Sequence, residues 1–150
     1  VKSISKSYGV PGLRLGVLAS SDKDLIQQIR KDVSIWNINS FAEFYMQIFN
    51  KYEADYKLGC ENFVKERKRF FKSLSKISYL RVIPSQANYF LCEITGRYTS
   101  TELTSLLLSK YNILIKDCGT KKAFSKGEYI RIAIRSTEDN DYLVHALNSL

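Results

Sequence analysis

Histidine is almost absent from this sequence and cysteine is scarce. His145 is the only histidine, so a Ser-His-Asp triad has one candidate and a multi-histidine metal site has none. The cysteines Cys60, Cys92 and Cys118 are odd in number and form no C-x-x-C pair. Neither a zinc site nor a disulfide framework is indicated, and a reducing, cytoplasmic compartment fits best. Long apolar runs are missing too: none approaches the ~18 residues of a membrane span, so no membrane partner is expected. Arg14 and the Pro11-Gly12 pair interrupt what would be the hydrophobic region of a signal peptide. An initiating methionine is also lacking. The chain starts at Val1 and reads as cut from something longer.

What is present is material for a core. Hydrophobic residues make up 45% of the 150 positions, with 10 Tyr and 8 Phe spread along the chain, which excludes a disordered or low-complexity segment. A chain of this size buries roughly 68–70% of its unfolded surface without a metal or disulfide staple. The net charge is +8, from 23 Lys and Arg against 15 Asp and Glu. Half of the excess falls within residues 51–80, where Lys65, Lys68, Arg69, Lys72 and Lys76 lie on one helical stripe. Such a stripe can meet nucleic-acid phosphates or an acidic membrane surface, or form the wet face of an amphipathic helix. No nucleic-acid-binding motif accompanies it, so the wet face is the reading adopted and no nucleic-acid partner is expected.

Local patterning predicts the elements. A Gly/Pro-punctuated turn leads to a strand over Leu13 to Leu18. Ser20 or Ser21 caps a helix opened by Asp22 and Asp24, and Ser40-Phe41-Ala42-Glu43 has the form of a capping box that restarts a helix. A long helix follows from about Glu53 to Lys76. Strands are expected over Tyr79 to Ile83, Asn88 to Ile94, Ile113 to Lys116 and Tyr129 to Arg135, with a loop over 119–127. Thr99-x-x-Glu102 opens a helix that Asn112 ends in a left-handed cap, and Ser136 or Thr137 caps the last one. Alternation in the final strand puts Ile130, Ile132 and Ile134 on one face and Arg131, Ala133 and Arg135 on the other. The later residues thus read as a small α+β unit, helices on one face of a mixed or antiparallel sheet.

Chemistry concentrates in Ser3-Ile4-Ser5-Lys6-Ser7-Tyr8-Gly9-Val10-Pro11-Gly12-Leu13-Arg14-Leu15-Gly16. One lysine stands between two hydroxyls, and a glycine-rich turn leads to an arginine eight residues later. Hydroxyls and arginine suit a phosphate, and a lysine beside a cation can lose its proton and act as a nucleophilic amine. A phosphorylated aldehyde is the matching ligand. The segment lacks the Gly-Lys-Ser/Thr ending of a P-loop.

This segment resembles the pyridoxal-phosphate lysine motif of the class I/II aminotransferases of fold type I, most nearly the branch of histidinol-phosphate aminotransferase and threonine-phosphate decarboxylase. Three further segments carry the resemblance across the chain. They are Trp36-Asn37-Ile38-Asn39-Ser40-Phe41-Ala42, Pro84-Ser85-Gln86-Ala87-Asn88-Tyr89-Phe90, and the strand pair Ile113 to Cys118 with Tyr129 to Arg135. The resemblance implies pyridoxal 5'-phosphate as cofactor, with Lys6 bonded to its aldehyde and later moving the substrate Cα proton. Arg14, Ser3 and Ser5 would hold the phosphate and Arg131 the substrate carboxylate, while Asn88 and Arg135 either line the substrate pocket or serve, respectively, as a satisfied turn residue and a surface or caging salt bridge. Lys116 stands where many relatives have arginine and receives no role, because lysine lacks the bidentate fork.

The family also implies an α/β enzyme of which this chain is the C-terminal part. Residues 1–35 would be a remnant of the large cofactor-binding domain, and residues 36–150 the interdomain helices and small domain. The preceding part, with the acid that pairs with the pyridine nitrogen, would be the chain's first partner, and without it the chain is expected to be incompetent. Amino-acid and 2-oxo-acid substrates and a homodimer follow from the same resemblance. Transamination is the expected reaction, with decarboxylation as the alternative inside the family and a basic nucleic-acid-binding module as the alternative outside it.

Overall fold

A computed structural model describes residues 1–119, 121 and 127–150. Most of the loop expected over 119–127 therefore lies outside the described residues. The chain divides into two units, Val1–Cys60 and Glu61–Leu150.

In the first unit, strand β1 (Lys2–Ser3) pairs antiparallel with β2 (Gly16–Val17), matching Lys2 to Val17 and Ser3 to Gly16. Between them come helix α1 (Ile4–Ser7) and a 3-10 turn over Pro11–Leu13. The strand expected over Leu13 to Leu18 is cut to two residues. Pro11 opens the 3-10 turn and Arg14 leaves it in the left-handed region at φ 52°, so extended backbone cannot begin before Leu15.

Helix α2 (Lys23–Asp32) is capped by Asp22, whose carboxylate accepts the Leu25 N–H at 3.0 Å, rather than by Ser20 or Ser21. Ser20 instead accepts the N–H of Asp22 at 3.1 Å. Similarly, Asn39 and not Ser40 caps α3 (Ser40–Ile48), accepting the Ala42 N–H at 3.0 Å. An amide caps as well as a hydroxyl, and that of Asn39 also donates to the Leu13 carbonyl at 3.0 Å, a second bond that fixes the cap. A 3-10 turn over Phe49–Tyr52 leads into α4 (Glu53–Leu74), the long helix read from the sequence, which ends two residues before Lys76.

The two units differ in how much they bury. Ser5 and Ala42 are the buried residues of the first among the described ones, while Trp36 is 90% and Phe41 77% exposed. The second unit holds a continuous core. Its sheet is antiparallel throughout, in the order β3 (Leu80–Ile83), β4 (Tyr89–Ile94), β6 (Glu128–Ala133), β5 (Lys116–Asp117). Phe90, Cys92, Ile94, Ile130 and Ile132 point to one face and meet Phe70 and Leu74 of α4. Leu103 and Leu107 of α5 (Ser100–Tyr111) and Leu143 and Leu147 of α6 (Thr137–Asn148) complete that face. Each such side chain contributes roughly 1.5–3 kcal/mol by leaving water. The small sheet with helices on one face is therefore the expected arrangement.

Local signals in this unit are largely as read. Thr99 and Glu102 form a reciprocal capping box on α5, Asn112 takes the left-handed cap at φ 55°, and Ser136 caps α6. The strand expected over Ile113 to Lys116 is displaced, because only Lys116 and Asp117 pair with β6. Among the described residues no helix is long and apolar enough to cross a membrane.

Candidate active site

The β1 and β2 pairing folds the lysine segment back on itself. It sets residues 3–5 alongside 14–16: the Ile4 N–H donates to the Leu15 carbonyl at 3.0 Å, and the buried Ser5 hydroxyl turns to the same carbonyl at 3.5 Å. Ser5 thus backs the turn from inside, whereas Ser3, Lys6 and Arg14 are exposed. Among the described residues neither Lys6 nor Arg14 has an ion-pair or side-chain hydrogen-bond partner, so an amine and a guanidinium stand free on one short segment. Arg14 holds the left-handed φ of 52° without being glycine, a conformation that costs on the order of 1 kcal/mol and clusters at functional sites.

That donor set fits pyridoxal phosphate: an amine for its aldehyde, and a guanidinium with a hydroxyl for its dianionic phosphate. The nearby hollow of about 460 Å³, lined by Ile4, Tyr8, Leu15, Tyr45, Met46 and Phe49 among others, carries no charged group and does not suit a phosphate.

In the second unit Arg131 lies on the open face of the sheet, opposite the buried Ile130 and Ile132. Its guanidinium sits 5.1 Å from the centre of the Tyr89 ring, and in the ladder it is flanked by Leu91 on β4 and Lys116 on β5. Arg131 and Lys116 line a cleft of about 570 Å³ with Thr104, Ser105 and Asp117. Among the described residues no carboxylate pairs with Arg131, so the cation is available to an anionic ligand. Asp117 does not neutralise it. That carboxylate accepts from the Gly119 N–H at 2.7 Å and the Thr101 hydroxyl at 2.8 Å, bonds that hold it below the usual range.

Arg135 is differently placed. It donates to Asp139 at 2.8 Å in an exposed i,i+4 ion pair, the arrangement of a surface bridge. Asn88 is exposed, and its carbonyl accepts from the Ile134 N–H at 3.0 Å, which ties its turn to the end of β6. Arg67 holds the same turn from α4, donating to the Gln86 carbonyl at 2.5 Å and side chain at 2.9 Å. The basic stripe is exposed at Lys65, Lys68, Lys72 and Lys76, but Arg69 is engaged with Glu66 and Asp141 at 2.8 and 2.6 Å. Arg67 and Asn39 carry no local sequence signal of these contacts, since their partners are 19 and 26 residues away. Only Tyr89 left a signal, sharing a strand face with the residues opposite Arg131.

A family model described as aminotransferase class I and II matches residues 1–147. Over 147 residues the chain is 33% identical to the CMP-5'-(3-aminopropyl)phosphonate synthase of Streptomyces rubellomurinus, covering 98% of this chain and 23% of that protein. Over 149 residues it is 32% identical to an L-serine phosphate decarboxylase of Campylobacter jejuni, covering 98% and 38%. The structure of the histidinol-phosphate aminotransferase from Clostridium acetobutylicum matches with a TM-score of 0.84 and 30% identity, over 98% of this chain and 44% of that one. The chain spans less than half the length of each of these relatives.

Proposed function

The chain belongs to the class I and II aminotransferase family, and on that premise we propose that it supplies the cofactor lysine and the substrate-carboxylate arginine of a pyridoxal-phosphate enzyme acting on an amino acid. Enzymes of this family and of its phosphate-amino-acid branch depend on pyridoxal 5'-phosphate. The observation that carries the reading is the unpartnered pair of Lys6 and Arg14 on one folded-back segment.

Lys6 Nζ would take the cofactor aldehyde, and Arg14 with Ser3 would hold its phosphate. Bound there, the cofactor would supply an electron sink for the substrate Cα, weakening its bonds to hydrogen and to carboxylate. Lys6 Nζ would also be the base that moves the substrate Cα proton. Arg131 pairs with the substrate carboxylate and the Tyr89 ring supports its guanidinium. Lys116, adjacent in the ladder, adds a second cation, which suits a substrate bearing a phosphoryl or phosphonyl group as well.

Transamination is the first reading, with an amino acid or amino-phosphate compound and a 2-oxo acid as substrates. Decarboxylation is the second, supported by the 32% identity to the L-serine phosphate decarboxylase. The two differ in which Cα bond stands perpendicular to the cofactor ring. Reduction with borohydride in the presence of pyridoxal phosphate, followed by peptide mapping, should mark Lys6. Incubation of the holoenzyme with L-serine phosphate, with and without a 2-oxo acid, separates the reactions by oxo-acid formation or carbon dioxide release. Label on a different lysine would overturn the assignment.

A further inference from the structure

Four residues cannot sustain a helix by themselves, because the first turn fixes several dihedrals for one hydrogen bond. Helix α1 has four, and its N-cap Ser3 provides no side-chain bond. Its carbonyls are nonetheless taken one after another. The N–H of Tyr8 donates to Ile4 at 3.1 Å, that of Val10 to Ser5 at 2.9 Å and that of Gly9 to Lys6 at 3.3 Å. The carbonyl of Ser7 is left for a tertiary partner. Tyr56, 49 residues away on α4, donates its phenol to that carbonyl at 2.9 Å. The next residue, Tyr8, stacks on the Tyr56 ring at 4.7 Å and 24°, and Phe49 closes on Tyr8 edge-on at 5.0 Å and 86°.

We propose that Tyr56 is a positioning residue for Lys6, clamping the lysine turn at two consecutive residues so that it cannot rotate about its own axis. The inference rests on the reading of Lys6 as the cofactor lysine. A hydrogen bond alone leaves a hinge at Ser7, and a stack alone leaves a slide at Tyr8. Together they fix the direction in which Lys6 leaves the backbone. The phenol stays protonated at every physiological pH: its pKa is pushed up to about 12, first by the neighbouring Cys60 thiol one turn on and then by burial, so the donor is not lost.

Two measurements on the full-length protein test this, with Tyr56→Phe to delete the hydroxyl and Tyr8→Leu to delete the stack. In the cofactor-free protein, amide exchange at Tyr8, Gly9 and Val10 is expected to quicken about fivefold in either variant, the worth of one net hydrogen bond in Tyr56→Phe and of the aromatic stack in Tyr8→Leu, while amides of Leu103 and Ile132 are unchanged. Lys6 condenses with pyridoxal phosphate with loss of water, and borohydride traps the resulting C=N bond. Trapping at Lys6 is expected to slow about fivefold in Tyr56→Phe, with trapping at the exposed Lys65 unchanged. Unaltered exchange at residues 8–10 in Tyr8→Leu and Tyr56→Phe, or unaltered Lys6 trapping in Tyr56→Phe, overturns the proposal. Should Tyr56→Phe unfold, the Tyr8→Leu exchange result decides alone. If the wild-type protein traps the cofactor on another lysine, the cofactor assignment of Lys6 fails, and the exchange data still judge the clamp.

Discussion

The side-chain amide of Asn140 donates to Glu66 at 2.7 Å across 74 positions of sequence, fastening α6 to α4. The same carboxylate accepts two bonds from Arg69 at 2.8 Å and one from the Thr137 hydroxyl at 3.1 Å. Asn140 is buried and completes its own bonding with the backbone N–H and carbonyl of Arg135. A four-bonded carboxylate of this kind resists protonation.

The Glu66 pKa is lowered to about 2, first by the Arg69 hydrogen bonds and then, against the cost of burial, by Asn140 and Thr137. Its folded value lies below its unfolded value of about 4.3, so this stabilisation is complete above that value and is lost as pH falls towards 2. Glu66→Gln is expected to cost roughly 2 kcal/mol at pH 7 and to flatten the pH dependence of the urea midpoint below about pH 4.5. An acid slope identical to that of the wild type would remove Glu66 from the explanation.

Gly96 lies just beyond β4, against Tyr79. A Cβ at position 96 would lie 2.6 Å from the Tyr79 Cβ. Tyr79 cannot withdraw, because its phenol donates to the Leu147 carbonyl at 2.6 Å and its own carbonyl accepts the Thr95 N–H at 2.9 Å. Gly96→Ala is expected to cost roughly 1–3 kcal/mol through overpacking, more than Tyr79→Phe, which removes one bond worth about 1 kcal/mol. Thermal unfolding of both variants ranks them, and a neutral Gly96→Ala would contradict the clash.

What was legible in the sequence was local or periodic. The Thr99 and Glu102 capping box, the Asn112 cap and the isoleucine face of β6 depend on neighbours within a few residues, and each stands as read. The family resemblance of the lysine segment was legible for the same reason. Asn39, Glu66 and Tyr56 escaped because their partners lie 26, 74 and 49 residues away. A tyrosine on an amphipathic helix reads alike whether its phenol meets water or a distant carbonyl. Arg69 looked like part of a wet stripe until folding brought Asp141 to it.

The cysteines should react in a fixed order. Cys60 is exposed, whereas Cys92 and Cys118 are buried, and burial pushes the Cys92 thiol up to about 12. Since only the thiolate attacks, a disulfide reagent at pH 8 is expected to modify one thiol rapidly in the native protein and three after denaturation. Peptide mapping of the fast product identifies it. Early modification of Cys92 would mean that the sheet opens far more readily than its packing implies.

Arg14 sets stability against function. It holds φ 52° at the exit of the 3-10 turn, a conformation that glycine adopts without a Cβ penalty. Replacing it with glycine relieves roughly 1 kcal/mol of strain and adds a similar unfolded-chain entropy, so Arg14→Gly is expected to leave stability within about 0.5 kcal/mol of the wild type. No intramolecular ion pair is lost with it among the described residues. Cofactor affinity should respond very differently. A guanidinium bonded to a phosphate contributes about 1.5–3 kcal/mol, equivalent to a loss of roughly 10- to 150-fold on its removal. Arg14→Lys keeps the charge and forfeits the fork, so it should fall between the two. Fluorescence titration with pyridoxal phosphate, beside urea unfolding of the same variants, separates the effects. Equal affinity in all three proteins would show that the phosphate is held elsewhere, and that the left-handed arginine serves the turn alone.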